Sequence, residues 1–381
     1  MKITQVELLS ADIGRIYHFV RLHIDAGITG VGEPSCVGKE RAVAGAVQDL
    51  TPYLIDADPF EIERLWNYMY HTVIWCGGPV LMAALSGVEH ALRDIKARAL
   101  GVPVWELLGG KVRDRVRAYA WIHGDTPASY QEDALRRMEE GFRTVKFTPF
   151  EPSDAGYTVA HGKRVEARVA AVREALGDDA GIAIDGHGLL GPITAMEMAK
   201  RIEPYGILFY EEPVLPENLD AMADIRRTAR IPIATGERLF TRYPYKDLLV
   251  KQAVDVIQAD VGNAGGILEG YKIAAMAEAF YVQMAPHNPW SPLTTAISLH
   301  LDAVIQNFLI QEIPTAGASP ERSQLLLQQI EIPRDGYLDI PTGPGWGVDL
   351  NIEFIRSHPW DPSMQRKPWI PRTPDGGLIH T

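Results

Sequence analysis

The stretch GIAIDGHG, Gly181 to Gly188, sets a short apolar run against a polar tip that holds a carboxylate, Asp185, and an imidazole, His187. A short apolar run bounded by turn residues reads as a buried strand. On a strand, side chains i and i+2 point to one side, so the acid and the histidine share a face at its end. Alone, the pair is an ordinary polar strand end feeding a loop. The pattern recurs, however. LFYEEP (208–213), IPIATGE (231–237), VIQAD (256–260), VQMAPH (282–287) and FLIQE (308–312) are apolar runs that deliver Glu211, Glu237, Asp260, His287 and Glu312. Upstream, VRAYAWI (116–122) and TVKFT (144–148) make eight strands in all, the second carrying Lys146. Amphipathic stretches such as KRVEARVAAVREAL and GGILEGYKIAAMAEAF lie between them. This alternation predicts a parallel (β/α) barrel and not a doubly wound sheet.

From Asp185 to Glu312 the polar tips recur every 23 to 27 residues, one β–α unit each. The C-terminal ends of barrel strands are where catalytic groups converge. Three carboxylates gathered there would repel and raise one another's pKa values. A divalent cation removes that conflict, and oxygen ligands from Asp185, Glu211 and Glu237 suit Mg²⁺. Zinc would want Cys and His at other spacings. The flanking histidines then acquire roles. Asp260 is placed to orient His287 and raise its basicity, and His187 stands on the other side of the ion. Two imidazoles so placed could take a proton from one carbon and give one to a leaving group on the next.

Ahead of the barrel the chain reads as α+β. Lys2 to Leu9 and Tyr17 to Ile24 alternate like strands, with a turn near Gly27. Helical periodicity covers Lys39 to Leu50, Pro59 to His71, and Pro79 to Leu100, which stops at Gly101. The expected division is a capping domain over 1–115, a barrel over 116–345, and a segment over 346–381 that returns to the cap. PFEPSDAGYTVAHG (149–162) reads as a polar insertion over the site.

Composition narrows the function. A net charge of −12 argues against nucleic-acid and anionic-membrane partners. Two cysteines, Cys36 and Cys76, imply no disulfide framework and fit a reducing compartment. No apolar run reaches the roughly 20 residues of a membrane span, and the N-terminus lacks a signal-peptide core. The expectation is a cytoplasmic enzyme acting on a small molecule.

The motifs VKFT, IDGHG, FYEEPV, ATGERLF, QADVGNAGGI, MAPHNP and IQE resemble the successive strand ends of the enolase superfamily, mandelate racemase branch. GVGEP, GGPVLMAALSGVEHALRDIKARALGVPVWELLGG and GPGWGVDL extend the resemblance over nearly the whole chain. Within that branch the sequence is most similar to acid-sugar dehydratases of the galactonate kind. The resemblance implies a modified (β/α)7β TIM-type barrel with an N-terminal α+β capping domain. It implies Mg²⁺ on Asp185, Glu211 and Glu237, His287 as the base paired with Asp260, and His187 as the acid at a departing 3-hydroxyl. Glu312 and Lys146 would face the substrate carboxylate. Thr148, Arg238 and Asn288 would line the substrate, and Arg15, Tyr17 and His18 would meet its distal end. The product would be a 2-keto-3-deoxy acid, and a homo-oligomer is expected by analogy. Two positions depart from the galactonate pattern: Thr148 stands where those members have Asn, and Gly186 where they have Phe. Another aldonate (gluconate, arabinonate, mannonate) or a diacid therefore stays open. So do an epimerase or cycloisomerase and a barrel without turnover.

Overall fold

The structure is a computed structural model that describes residues 1–71, 74–151, 157–315, 319–364 and 376–378. Three antiparallel strands open the chain: β1 (Ile3–Asp12), β2 (Ile16–Ile24) and β3 (Thr29–Gly32), in that spatial order. The third was not foreseen, because TGVG has little apolar alternation. It is a strand because its glycines let it lie against a helix: a Cβ at Gly30 or Gly32 would fall 2.1 or 2.0 Å from a backbone oxygen of the third helix. Helices α1 (Glu40–Leu50), α2 (Ile62–His71) and α3 (Pro79–Leu100) pack on this sheet around Val20, Leu22, Trp66, Leu85 and Val88. The long helix ends where expected, with Gly101 in the left-handed region at φ 71°.

A short helix α4 (Val104–Leu107) leads to eight parallel strands: β4 (Arg115–Trp121), β5 (Thr144–Phe147), β6 (Gly181–Asp185), β7 (Ile207–Glu211), β8 (Ile233–Thr235), β9 (Val256–Ile257), β10 (Gln283–Met284) and β11 (Gln311–Ile313). They pair in the order β10-β9-β8-β7-β6-β5-β4-β11. A parallel bridge from Met284 to Phe308 joins the two ends of that order and closes the ring. The connecting helices are α5 (Pro127–Glu139), α6 (Val159–Leu176), α7 (Pro192–Ile202), α8 (Leu219–Thr228), α9 (Arg242–Val250), α10 (Ile267–Ala279) and α11 (Pro292–Val304). The architecture is the expected (β/α)7β barrel. Its interior is filled by Tyr119, Ala183, Phe209, Ala234, Val256, Ala285 and Ile310. A larger apolar layer joins the outer strand faces to the helices and takes in Leu9, Ala11, Tyr17 and Phe19 of the cap sheet.

Strand lengths differ from the sequence reading. Several polar tips lie beyond the regular strand, since β8, β9 and β10 stop at Thr235, Ile257 and Met284. Glu237, Asp260 and His287 thus sit in the first turns after them. A final strand β12 (Tyr337–Asp339) pairs antiparallel with β4, and α12 (Ile352–Ser357) follows. Beyond it the chain meets the cap: Asp12 N donates to His358 O at 2.9 Å, and Arg356 pairs with Glu7. Trp346 is fully buried and donates from its indole to Val31 O at 2.9 Å. Of the expected insertion, residues 152–156 lie outside the described residues, and from Val159 it is already helix.

Candidate active site

Register delivers the first group of side chains. Asp185 and Glu211 are Cα partners across β6 and β7. Lys146, fully buried on β5, lies 2.5 Å from Glu211 Oε2, 3.5 Å from Asp185 Oδ2 and 3.3 Å from Glu312 Oε1. One cation thus gathers three carboxylates from three strands. Burial, with the charge of Asp185, raises Glu211 to about 8. Burial and Glu237 raise Asp185 to about 6 against the pull of Lys146. Burial also pushes Glu312 up, but Lys146 and His287 hold it down at about 2. Lys146 itself, which burial would lower, is held well above its ordinary value by Glu211 and Glu312.

Asp185 and His187 come together by a turn, not by strand alternation. The strand ends at Asp185, and His187 takes a left-handed φ of 46°. Its backbone N–H donates to Asp185 Oδ1 at 2.8 Å, which places its Nε2 3.3 Å from Asp185 Oδ2. A left-handed histidine is strained by about 1–3 kcal/mol and persists only where its surroundings impose it. Here Gly186 and Gly188 donate to the carbonyls of Glu211 and Glu212, both at 2.8 Å. Gly186 admits no side chain, since a Cβ would lie 2.6 Å from Glu212 O. The imidazole stacks on Trp121 at 5.7 Å with a 7° interplanar angle, and Thr148 Oγ1 lies 3.2 Å from its Nδ1. Burial lowers its pKa.

Across the mouth, His287 Nδ1 lies 2.8 Å from Asp260 Oδ2, and its Nε2 lies 3.1 Å from Glu237 Oε2. Burial works against its protonation, yet Glu237, Glu312 and Asp260 raise it to about 10. Asn288, next in the chain, donates from its backbone to Glu312 Oε2 at 2.8 Å. Arg238 bridges the two sides. It lies 2.9 Å from Glu212 and 3.6 Å from Glu237, and it donates to His187 O at 3.3 Å.

The capping domain reaches this rim through the β1–β2 hairpin. The Arg15 guanidinium lies 5.1 Å from the Trp290 ring and 5.9 Å from the Tyr17 ring. Tyr17 is buried on the barrel side of the cap sheet. His18 is not with them. It lies on the opposite face of β2, with Ser10 Oγ at 2.7 Å from Nδ1, Glu40 O at 3.0 Å from Nε2, and Trp360 against its ring. Strand alternation explains the split, since 17 and 18 must face opposite ways.

Several side chains at this centre escape a reading by strand ends. Glu212 is fully buried with φ 34°, and burial with Glu237 raises it to about 9. Its signal was the second acid of EEP, normally read as facing away. Trp121 donates from its indole to Glu312 Oε1 and lies under the Lys146 ammonium at 4.6 Å. It closes the one strand whose tip carries no charge. Trp290 donates to Asp260 Oδ2 at 2.7 Å.

The donor set suits a hard cation by chemistry. Asp185 Oδ2 and Glu211 Oε1 are buried oxygens that accept no hydrogen bond among the described residues. Such atoms are costly unless something neutralises them. The three acids are not drawn together at coordination spacing, and no group of three or more His, Cys, Asp or Glu among the described residues is. Lys146 holds Asp185 and Glu211, while His287 holds Glu237. No helix among the described residues is long and apolar enough to cross a membrane.

Comparison with known proteins places the whole chain in one family. Residues 13–109 match the mandelate racemase / muconate lactonizing enzyme N-terminal domain, and residues 129–354 match the enolase C-terminal domain-like family. D-galactonate dehydratase of Pectobacterium atrosepticum is 38% identical over 386 residues, covering 99% of each chain. That of Ralstonia pickettii is 39% identical over 360 residues, covering 93% of this chain and 94% of its own. A solved enolase-type structure from Agrobacterium radiobacter, with Na and L-malate bound, is 32% identical with a TM-score of 0.93 and full coverage of both chains. A Salmonella Typhimurium member of the enolase superfamily is 32% identical with a TM-score of 0.88, covering 94% of this chain and 98% of its own. The chain therefore belongs to the mandelate racemase branch of the enolase superfamily, beside its acid-sugar dehydratases.

Proposed function

We propose that this chain dehydrates an aldonate of the D-galactonate type to a 2-keto-3-deoxy acid, with Mg²⁺ held by Asp185, Glu211 and Glu237. The observation that carries the reading is the pair of imidazoles, His187 and His287, on opposite sides of buried acids whose oxygens Asp185 Oδ2 and Glu211 Oε1 accept no hydrogen bond among the described residues. Bound there, the cation supplies Lewis acidity that stabilises negative charge building on the substrate carboxylate.

The chain's own groups do the proton work. With the charge of Glu237 taken up by the cation, His287 would lose the largest influence that keeps it protonated; its Nδ1 is tied to Asp260, so Nε2 is the nitrogen that accepts the α-proton. As that C–H bond breaks, its electron pair moves into the carboxylate, giving an enediolate. Lys146 lies within reach of three buried carboxylates and brings positive charge to that oxyanion. Glu312, tied to Asn288 N and the Trp121 indole, is fixed against the same end. The enediolate pair then forms the C2–C3 double bond as the C3–O bond breaks. His187, acting as the imidazolium beside Asp185, where Glu237 and Glu211 oppose the effect of burial, gives its Nε2 proton to the departing hydroxyl, which leaves as water. The enol tautomerises to the keto acid. Acid and base assistance of this kind contributes about 10²- to 10⁴-fold each. In this reading Thr148, Arg238, Asn288, Arg15 and Tyr17 meet the substrate between the reacting carbons and the cap. His18 has no part in this proposal, because its ring is committed within the cap.

The test is a panel of mono- and diacid sugars, D-galactonate first, assayed for semicarbazide-reactive keto acid with Mg²⁺ in deuterated water. Keto-acid formation supports the reading. Deuterium entering the α-carbon without loss of water would make the enzyme an epimerase instead. In His187→Asn, water loss should vanish while α-exchange survives; normal dehydration by that variant would remove His187 as the acid.

A further inference from the structure

We propose that Trp290 is a positioning residue for His287, acting through Asp260. This rests on the reading of His287 as the base. Asp260 Oδ2 accepts two hydrogen bonds, from His287 Nδ1 at 2.8 Å and from the Trp290 indole Nε1 at 2.7 Å. Its other oxygen accepts from Gly262 N at 2.7 Å. The carboxylate is fully buried, so these three donors fix its plane, and the plane fixes the imidazole.

The indole is itself held on several sides. Its backbone carbonyl accepts twice from Arg322, at 2.9 and 2.7 Å. The next residue, Ser291, caps α11 and is bound by the buried Glu33 of the capping domain, whose Oε1 accepts from Ser291 N at 3.0 Å. Arg15, from the hairpin tip, lies over the ring. The opposing loop is cleared for it: a Cβ at Gly262 would fall 2.8 Å from the indole nitrogen. Trp290 thus ties the orientation of the base to the seating of the cap. Phenylalanine, a smaller ring without the N–H, keeps an aromatic side chain there but removes one of the three donors that fix Asp260.

Trp290→Phe tests this, alone and combined with Asp260→Asn. Losing a hydrogen bond to a charged group should lower kcat for α-proton exchange about tenfold, with KM within about twofold, because no substrate contact is removed. In the Asp260→Asn background the same change should cost less than about twofold, since the two side chains act as one unit. Equal losses in both backgrounds, or no loss in either, would overturn the proposal. A readout without turnover keeps the two questions apart. The His287 Nδ1 proton, identified in NMR spectra by its absence in His287→Asn, should shift or exchange faster in Trp290→Phe; an unchanged resonance would overturn the positioning role. If no sugar acid turns over at all, the functional reading falls while this resonance still decides the role of Trp290.

Discussion

The two sides of the barrel mouth are built by different means. Lys146, Asp185 and Glu211 ride on β5, β6 and β7, four or five residues long; β5 and β6 pair in continuous register, and β6 and β7 pair at their ends, Ile184 with Tyr210 and Asp185 with Glu211, beyond a register shift. Asp260 and His287 follow β9 and β10, two residues each, and lie in the turns beyond them. Sheet hydrogen bonds cannot position these two. The capping domain braces the turns that carry them, through buried carboxylates set on the N-termini of the next helices, beside the barrel's own bond from Asn288 N to Glu312 Oε2. Glu33 binds Ser291 N, Ser291 Oγ and Thr294 Oγ1 at the start of α11. Glu89 accepts from Ile267 N at 3.0 Å at the start of α10, whose own cap position, Gly266, has no side chain to offer. A carboxylate on a helix N-terminus satisfies orphan N–H groups and meets the positive end of the helix dipole. One side is thus a product of local sequence, and the other of docking between domains.

The comparison can be broken at either side. The largest expected effect is on the docked side. His287→Asn should lower α-proton exchange by about 10³-fold or more, the worth of a general base, while Mg²⁺ affinity measured by calorimetry stays near wild type. On the register side, Glu211→Gln should weaken Mg²⁺ binding by at least about tenfold in the same calorimetric titration. An unchanged affinity would remove Glu211 from the ligand set.

Glu33→Ala separates the two constructions. It leaves buried donors unpaired at the interface and should cost about 2–4 kcal/mol in denaturant unfolding. At folded concentrations it should lower kcat more than it lowers Mg²⁺ affinity. A uniform loss of both would mean that the cap supports the whole mouth alike.

The smallest effect concerns pH. His300 on α11 is buried between Trp105 N, which lies 3.1 Å from Nδ1, and Trp346 O, 3.1 Å from Nε2. Burial lowers it from 6.5 to about 4. Between those values the unfolded chain binds the extra proton and the folded chain does not. Stability is therefore fully present above pH 6.5 and falls toward pH 4, by about 1.4 kcal/mol per pH unit. His300→Gln should flatten that slope in urea titrations at pH 7 and pH 5; an unaltered slope would assign the acid sensitivity elsewhere.

How much could be read beforehand follows the same division. The tips Lys146, Asp185, Glu211 and Glu312 were legible because each ends a periodic apolar run, and the run itself fixes where the side chain goes. His187 was legible for a different reason than the one that operates: alternation suggested a shared face, whereas a left-handed turn makes the contact. Trp121, Glu212 and Trp290 were not legible. A tryptophan at a strand end, or a second acid after the first, has no local signature that separates function from packing. His18 was grouped with Arg15 and Tyr17 by the family resemblance, and the pleat of β2 sent it to the other face.

The sequence by itself determined the alternation of strand and helix, the barrel that follows from it, and the acidic, lysine and histidine tips. These depend on periodicity and spacing, which are properties of neighbouring residues. Only the tertiary structure decided which buried oxygens accept no hydrogen bond among the described residues, which donors share Asp260, and how the cap braces the base. Those depend on residues up to 261 positions apart, such as Glu33 and Thr294, brought together when two separately patterned domains exclude water between them.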